Sequence, residues 1–259
     1  MTPDAVFVRD GVRFAATELA RGPWDPGALH GGAPAALLAR EFERRAPDPE
    51  LAVARITYEL VRPVPLGLLS VSADVVRPGR RVTLLDGAIL DNAGTEVMRA
   101  RALLLRPSAI GVGDGEPPPF PGPADGRPTK FASDGSPMFA THAMEIRFVE
   151  GAFMELGAAT AWFRLREPLV QGESPSPLQS LAAAGDFGNG ISAVLSWSEH
   201  VFINPDLTLY IERVPRGGWV AVQAQTRVLS GAVALAESVL WDEQGRIGSA
   251  TQSLLVSRR

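Results

Sequence analysis

The sequence predicts an α+β protein made of two tandem copies of a curved antiparallel sheet, each wrapped around a central helix. In each half an apolar helical segment precedes a series of strand-like segments, which is typical of a helix packed on one face of a sheet. The halves also resemble each other, since residues 91–94 match 242–245 and Tyr58 aligns with Tyr210, a shift of roughly 150 residues. Edge-to-edge pairing of the two copies would cover the exposed edge of each sheet.

A proline-rich stretch separates the halves. Residues 107–137 hold eight prolines and no hydrophobic periodicity, which predicts a linker. We therefore expect an N-terminal domain at 1–106 and a C-terminal domain at 138–259. A G-x-G-x-G run that begins at Gly111 opens no helix, so it does not indicate a nucleotide-binding loop.

Composition narrows the class of protein. The net charge of -4 provides no basic field for nucleic acid or anionic lipid, so neither is expected as a partner. No apolar run reaches the roughly 20 residues that span a bilayer, and no signal-peptide pattern is present, so we expect a cytoplasmic protein. The absence of cysteine excludes thiol nucleophiles and thiolate metal ligands.

The first half begins with extended chain and continues into a helix. Residues 5–20 are expected to be extended around a turn at Asp10-Gly11. The following helical run begins near Leu29 and ends near Pro47, with Gly31 and Gly32 at its start. Alternating apolar residues then predict four strands, at 52–62, 68–77, 82–90 and 96–106.

The second half repeats this plan around a helix at 176–190. Ser176 is a good N-cap, Pro177 suits the first turn, and Gly188 begins a Gly-Asn-Gly run that favours left-handed closure of the helix. Asp186 in the last turn costs about 0.5–1 kcal/mol relative to a neutral helix former, which indicates either a function or a solvated helix end. Extended chain is expected at 142–167, and strands at 206–213, 218–228, 232–241 and 247–257.

Two further polar residues stand out in the second half. Gln252 lies among apolar residues where the first half has Ala102, and a buried amide without partners costs about 1–3 kcal/mol. The alternative is a rim position bonded to water. Asn204 precedes Pro205 at a strand start, where it either begins a turn or points toward the Asp186 helix.

The three histidines are His30, His142 and His200, and none stands in a metal-ligand spacing, so no metal site is expected. His30 precedes the glycine pair and either lines a cleft or lies in a surface loop. The sequence contains no G-x-S-x-G motif, which leaves a serine hydrolase of the α/β type unsupported.

Three segments of the second half resemble the active-site segments of the acyl-CoA thioesterase II family, whose members carry two hotdog domains in one chain. They are AAAGDFGNGIS, FINPDLTLYIERVPRGGW and DEQGRIGSATQSLLV. In the first half, HGGAPAALLARE is similar to the family's first hotdog helix with its leading glycines. The resemblance covers nearly the whole chain and implies a double hotdog fold.

The resemblance also implies a set of site residues. Asp186, Asn204 and Gln252 fall where the family holds its attacking water, and we expect them to converge within one water's reach. Asn204 departs from the family's pattern, which has a hydroxyl residue there. Gly31 and Gly32 could donate backbone N–H groups to an oxyanion, and His30 and Gly188 complete the candidates for substrate or oxyanion contact.

We therefore expect a thioesterase that hydrolyses fatty acyl-CoA in fatty acid metabolism, without metal or redox cofactor, and that forms a homo-oligomer through its remaining sheet edges. Neither acyl chain length nor the identity of the thiol carrier follows from the sequence. One alternative is an acyl-CoA or lipid-binding protein without catalysis. Another is a hotdog hydratase or dehydratase, which normally pairs a histidine with an acid; the absence of histidine from the Asp186 helix argues against it.

Overall fold

One antiparallel sheet runs through the described chain, which comprises residues 4–108, 118–130, 135–229 and 233–259 of a computed structural model. The first half supplies six strands and one long helix: β1 (Phe7–Asp10), β2 (Arg13–Ala16), α1 (Gly32–Arg45), β3 (Ala52–Glu59), β4 (Leu68–Arg77), β5 (Val82–Leu90) and β6 (Glu96–Leu105). The G-x-G-x-G run at Gly111 lies outside the described residues.

The second half adds the remaining strands and two helices. These elements are β7 (Arg127–Thr129), β8 (Met144–Glu150), β9 (Ala159–Leu165), α2 (Pro177–Gly185), α3 (Gly188–Ile191), β10 (His200–Ile203), β11 (Asp206–Ile211), β12 (Val220–Val228), β13 (Val233–Asp242) and β14 (Gly245–Arg258). Short helical turns occur at Glu18–Ala20 and Phe139–Ala143. Among the described residues, no helix combines the length and apolar character needed to cross a membrane.

The strand order of the sheet is nearly symmetric about its central strand pair, β3 and β11. Its order is β1-β2-β4-β5-β6-β3-β11-β14-β13-β12-β9-β8-β7, with β10 paired to β14. At the central pair, Thr57 of β3 lies opposite Thr208 of β11. Both α1 and α2 contact the sheet and each other. This order is the one that pairing of two similar halves along one edge produces.

The strand register tests the alignment of the halves. Thr57 lies opposite Arg101 and Thr208 opposite Thr251, so the next residues on those strands, Ala102 and Gln252, correspond as predicted. The alignment of Tyr58 with Tyr210 was wrong by one residue. Tyr58 is fully buried, whereas Tyr210 is 48% exposed. A shift of one residue in a strand moves a side chain to the opposite face, which explains the difference.

The predicted helices form, but the second ends differently. Ser176 caps α2 as expected, since its hydroxyl accepts the Gln179 N–H at 3.1 Å. The predicted left-handed closure was wrong: Asp186 ends α2 with φ of -78°, and α3 begins at Gly188. The helical path continues because Phe187, between the two helices, keeps right-handed helical angles, with φ of -79° and ψ of -11°.

The predicted strands are confirmed to within a few residues, and two short ones were missed. β10 extends the sheet beside the end of β14, and β7 pairs with β8 inside the stretch predicted as a linker. Each is a strand of only a few residues, so its own alternation is too short to detect.

Candidate active site

A cavity of about 620 Å³ opens between the start of α1, the α2–α3 junction and the loop before β11. Its walls are mostly apolar and include Trp24 and Trp197, whose rings stack with centroids 4.8 Å apart. Polar side chains from His30, Asp186, Asn189 and Asn204 also line it. An apolar cavity with a small polar group is the usual form of a site for a small organic ligand.

Asp186 is the point at which the predicted residues meet. Its Oδ1 accepts a hydrogen bond from Asn204 Nδ2 at 2.9 Å and another from Gln252 Nε2 at 3.1 Å. The three side chains come from the end of α2, the loop before β11 and the middle of β14. The structure therefore brings all three together, within the distance that the sequence analysis required.

The fold fixes the two amides before any ligand binds. Asn204 lies just before β11, and its Nδ2 also approaches the Asp206 carbonyl at 3.4 Å. Asp206 in turn accepts the Ser253 N–H at 2.7 Å, which joins the start of β11 to β14. Gln252 projects from the inner face of β14 and is 2% exposed.

Gln252 uses its whole amide to hold the helix end. Its Nε2 donates to Asp186 Oδ1 and approaches the Asp186 carbonyl at 3.3 Å, while its Oε1 accepts the Asn189 N–H at 3.0 Å. Burial of this amide is therefore compensated, as a buried polar group requires. The alternative of a water-bonded rim position is wrong.

Gly188 allows this close contact. A Cβ atom on Gly188 would lie 2.6 Å from Ser238 Oγ and 3.1 Å from Gln252 Oε1, so a side chain does not fit. Gly188 is not among the residues that line the cavity. Its placement favours a packing role over the substrate contact that the sequence suggested.

His30 faces the other oxygen of Asp186. Its Nδ1 lies 3.1 Å from Asp186 Oδ2 and also accepts the Gly32 N–H at 3.1 Å. One nitrogen cannot accept from Gly32 and donate to Asp186 at once, so the proton on Nδ1 decides which contact is a hydrogen bond. The ring stacks on Phe187 with centroids 4.4 Å apart.

Two expectations about this histidine change. The surface-loop alternative is wrong, since the His30 side chain is 12% exposed. The argument against a hydratase or dehydratase also loses its force, because it considered only the Asp186 helix and His30 reaches Asp186 from the other half of the chain.

The start of α1 packs tightly against the carboxylate. A Cβ on Gly31 would lie 2.8 Å from Asp186 Oδ2, so a glycine is needed there. The positive end of the α1 dipole therefore faces the polar side chains of the cavity. Of the two backbone donors, Gly32 is already engaged by His30, whereas Gly31 directly lines the cavity.

Sequence reasoning missed several cavity residues. Asn189 was taken as part of a closing turn, and Phe153 and Phe202 were not singled out. Their proximity depends on contacts between segments far apart in the chain. Within the described ranges, no group of three His, Asp or Glu side chains is arranged to hold a metal ion.

Comparison with known protein families gives two matches that together cover most of the chain. The family described as the acyl-CoA thioesterase N-terminal domain matches residues 20–105, and the acyl-CoA thioesterase C-terminal domain matches residues 114–256. Among curated proteins, no significant match is found.

Solved structures show the same fold at low sequence identity. A proposed thioesterase II from Thermobifida fusca YX is 18% identical, with a TM-score of 0.73, over 97% of this chain and 95% of that chain. A proposed thioesterase from Novosphingobium aromaticivorans is 24% identical, with a TM-score of 0.72, over 96% and 98%. A hotdog-fold protein of unknown function from Alicyclobacillus acidocaldarius is 17% identical, with a TM-score of 0.70, over 99% and 97%. The sheet is therefore of the hotdog type.

Proposed function

Because the chain belongs to the acyl-CoA thioesterase family, we propose that it hydrolyses fatty acyl-CoA to the free acid and CoA through a water at Asp186. One observation carries this proposal: a buried carboxylate, held by Asn204 and Gln252, opens on an apolar cavity. We further propose that the chain forms two hotdog domains, 1–106 and 138–259, around α1 and α2 and joined by the linker 107–137. The catalytic residues would belong chiefly to the second domain.

The reaction needs a base, a nucleophilic water and a donor for the developing oxyanion. Asp186 would take a proton from water as the oxygen attacks the thioester carbonyl carbon, a contribution of about 10²–10⁴ in rate. The carbonyl oxygen would become negative in the tetrahedral intermediate, where the Gly31 N–H at the start of α1 could stabilise it. The C–S bond would then break, and the proton held at Asp186 would pass to the departing thiolate.

His30 would provide a hydrogen-bond acceptor for the proton that Asp186 takes from water. Once protonated, Asp186 could donate from Oδ2 to His30 Nδ1, 3.1 Å away, in place of the Gly32 N–H. Asn204 and Gln252 would keep Oδ1 fixed throughout, because both donate to that oxygen. They would thus act on the water through the orientation of the carboxylate.

The substrate is proposed from the shape of the cavity. Its apolar wall, which includes Phe153, Phe187 and Phe202, suits an acyl chain. The stacked pair Trp24–Trp197 stands at the side of the cavity, with Trp24 56% exposed. We place the thioester beside Asp186 and the acyl group against the aromatic wall.

Two rival functions each have one observation in their favour. Both oxygens of Asp186 already have polar neighbours, as expected if the protein binds acyl-CoA without hydrolysing it. The contact of His30 with Asp186 supplies the histidine–acid pair that a hydratase or dehydratase uses.

A release assay separates the three functions. The protein would be mixed with acyl-CoAs of graded chain length and a thiol-reactive dye; since the chain has no cysteine, the dye reports only released CoA. The proposal predicts catalytic release for at least one chain length. Binding of a non-hydrolysable thioether analogue without release from any acyl-CoA would favour the binding protein. Loss of the conjugated absorbance of a 2-enoyl-CoA without thiol release would favour the hydratase.

A further inference from the structure

Among the described residues that line the cavity, Asn189 is the one with a buried side-chain atom that has no hydrogen-bond partner. We infer that Asn189 Oδ1 accepts one hydrogen of the attacking water while Asp186 takes the other. This inference rests on the proposed thioester hydrolysis. It assigns the attacking water a hydrogen-bond acceptor that the sequence did not suggest.

Asn189 has a buried side-chain acceptor without a partner, as a ligand-binding group often does. The residue is 5% exposed and lines the cavity with Asp186 and His30. Its Oδ1 is buried, and it has no hydrogen-bond partner within the part of the chain that the structure describes. A buried acceptor of this kind costs stability and is rare in native proteins, so a ligand or a bound water is the usual explanation.

The N–H groups of the amides predicted to hold the water are otherwise engaged. Both hydrogens of Gln252 Nε2 point to Asp186, and its Oε1 accepts the Asn189 N–H. Asn204 Nδ2 also points to Asp186. These amides orient the carboxylate through their N–H groups, so they are positioning residues, and the water needs a second acceptor besides Asp186.

The chemistry requires such an acceptor. A water has two hydrogens, and if both are held, the directions of its two lone pairs are fixed, so that one can point toward the carbonyl carbon. Asp186 can hold only the hydrogen that it removes. Asn189 lines the same cavity as Asp186, and its Oδ1 has lone pairs with no partner among the described residues, so it can accept the other hydrogen.

The position of Asn189 is rigid enough for this task. Its backbone N–H is bonded to the same Gln252 that holds Asp186. The helix α3 is anchored to β12 through Ser192, whose Oγ lies 2.9 Å from the Gly188 carbonyl and 2.8 Å from Thr226 Oγ1. The backbone at Asn189 is therefore held relative to the carboxylate before substrate binds.

The test compares Asn189→Leu with Ser192→Ala on the same short helix. Asn189→Leu keeps the number and branching of the side-chain heavy atoms but removes the acceptor, so kcat for acyl-CoA should fall about 10- to 100-fold with KM nearly unchanged. Its Tm should not fall, since a buried unpaired atom is lost. Ser192→Ala keeps the Asn189 acceptor but removes the anchoring hydrogen bonds, so its Tm should fall, while its kcat should fall by less than that of Asn189→Leu.

The outcomes separate this inference from the proposed function. If the unmodified protein releases CoA and Asn189→Leu retains its kcat, the inference is wrong and the proposed function stands. If the unmodified protein releases no CoA from any acyl-CoA, both fail. A crystal structure of the free protein gives an independent check: we expect a water bonded to both Asn189 Oδ1 and the Asp186 carboxylate, and a direct partner for Oδ1 in place of water would overturn the inference.

Discussion

Two carboxylates occupy similar places in the two halves and have different surroundings. Glu43 of α1 accepts hydrogen bonds from Ser176 Oγ at 2.8 Å and from Gln179 Nε2 at 3.0 Å, so its carboxylate lies at the start of α2. Asp186 at the end of α2 sits in turn at the start of α1. Only Asp186 of the two lines the described cavity with the aromatic wall. One arrangement of helix ends thus serves capping in one half and, in our proposal, catalysis in the other.

The strands β6 and β14, which carry Ala102 and Gln252, differ in the same way. Ala102 and Gln252 correspond in register, and both are buried. The first half shows that a small apolar residue is enough for the sheet at this position. The amide in the second half is therefore not required by the fold, and its bonds to Asp186 indicate why it is there.

The largest effect should separate the two carboxylates. We expect Asp186→Ala to lower kcat/KM for acyl-CoA by about 10²–10⁴, because it removes the base. Glu43→Ala should leave kcat/KM within about three-fold while it lowers the free energy of unfolding by roughly 0.5–2 kcal/mol, through loss of the α2 cap contacts. Dye-monitored release and urea unfolding measure both. Equal losses of activity in two folded variants would break the comparison.

The second prediction exchanges the residues at the corresponding positions of β6 and β14. Gln252→Ala should lower kcat about 10- to 100-fold by releasing Asp186 from one of its donors. Ala102→Gln should give no new activity and should lower the free energy of unfolding by about 1–3 kcal/mol, since the added amide finds no partners and overfills the core. A stable, unperturbed Ala102→Gln protein would show that the fold tolerates the amide in either half.

The third prediction concerns the matched turns at 91–94 and 242–245. Asp242 is 2% exposed; burial raises its pKa, but Arg213 at 2.6 Å and the N–H groups of Arg216 and Gln244 outweigh burial and hold the pKa below its usual value. From the described residues, the Asp91 side chain accepts only N–H groups of its own turn, those of Ala93 and Thr95.

We therefore expect Asp242→Asn to lower the free energy of unfolding by about 1–3 kcal/mol at pH 7, and Asp91→Asn by less than about 1 kcal/mol. Because the folded pKa of Asp242 is depressed, its stabilisation is complete above the unfolded pKa of about 4 and is lost as pH falls through the folded value. Denaturant unfolding between neutral and acid pH measures this. A gap between Asp242→Asn and the unmodified protein that widens toward acid pH would contradict the sign.

The smallest effect should come from the packing under Gln252. Gly188→Ala should lower kcat by roughly 3- to 10-fold, because its methyl group would push on Ser238 Oγ and Gln252. Ser238→Ala removes the nearer contact, so the double variant should recover part of the lost rate. Steady-state kinetics of the single and double variants decide this, and no recovery would mean that the loss has another cause.

The sequence predicted those parts of the molecule that depend on local pattern. Alternation and capping gave α1, the Ser176 cap and the main strands, and the difference between Ala102 and Gln252 pointed to the site. His30 and Asn189 could not be placed, because their roles depend on distances between segments far apart in the chain. The Tyr58 alignment failed for a related reason, since the face of a strand is set by pairing register.

The most direct test of the account is a single turnover in water labelled with ¹⁸O, with protein in excess over acyl-CoA. Attack by a water at Asp186 predicts thiol release, one labelled oxygen in the fatty acid, and no label in the protein; Asp186→Asn should abolish the turnover. An unlabelled fatty acid, with the label recovered in the peptide that contains Asp186, would mean that the carboxylate itself attacks the thioester and would contradict the proposed water site.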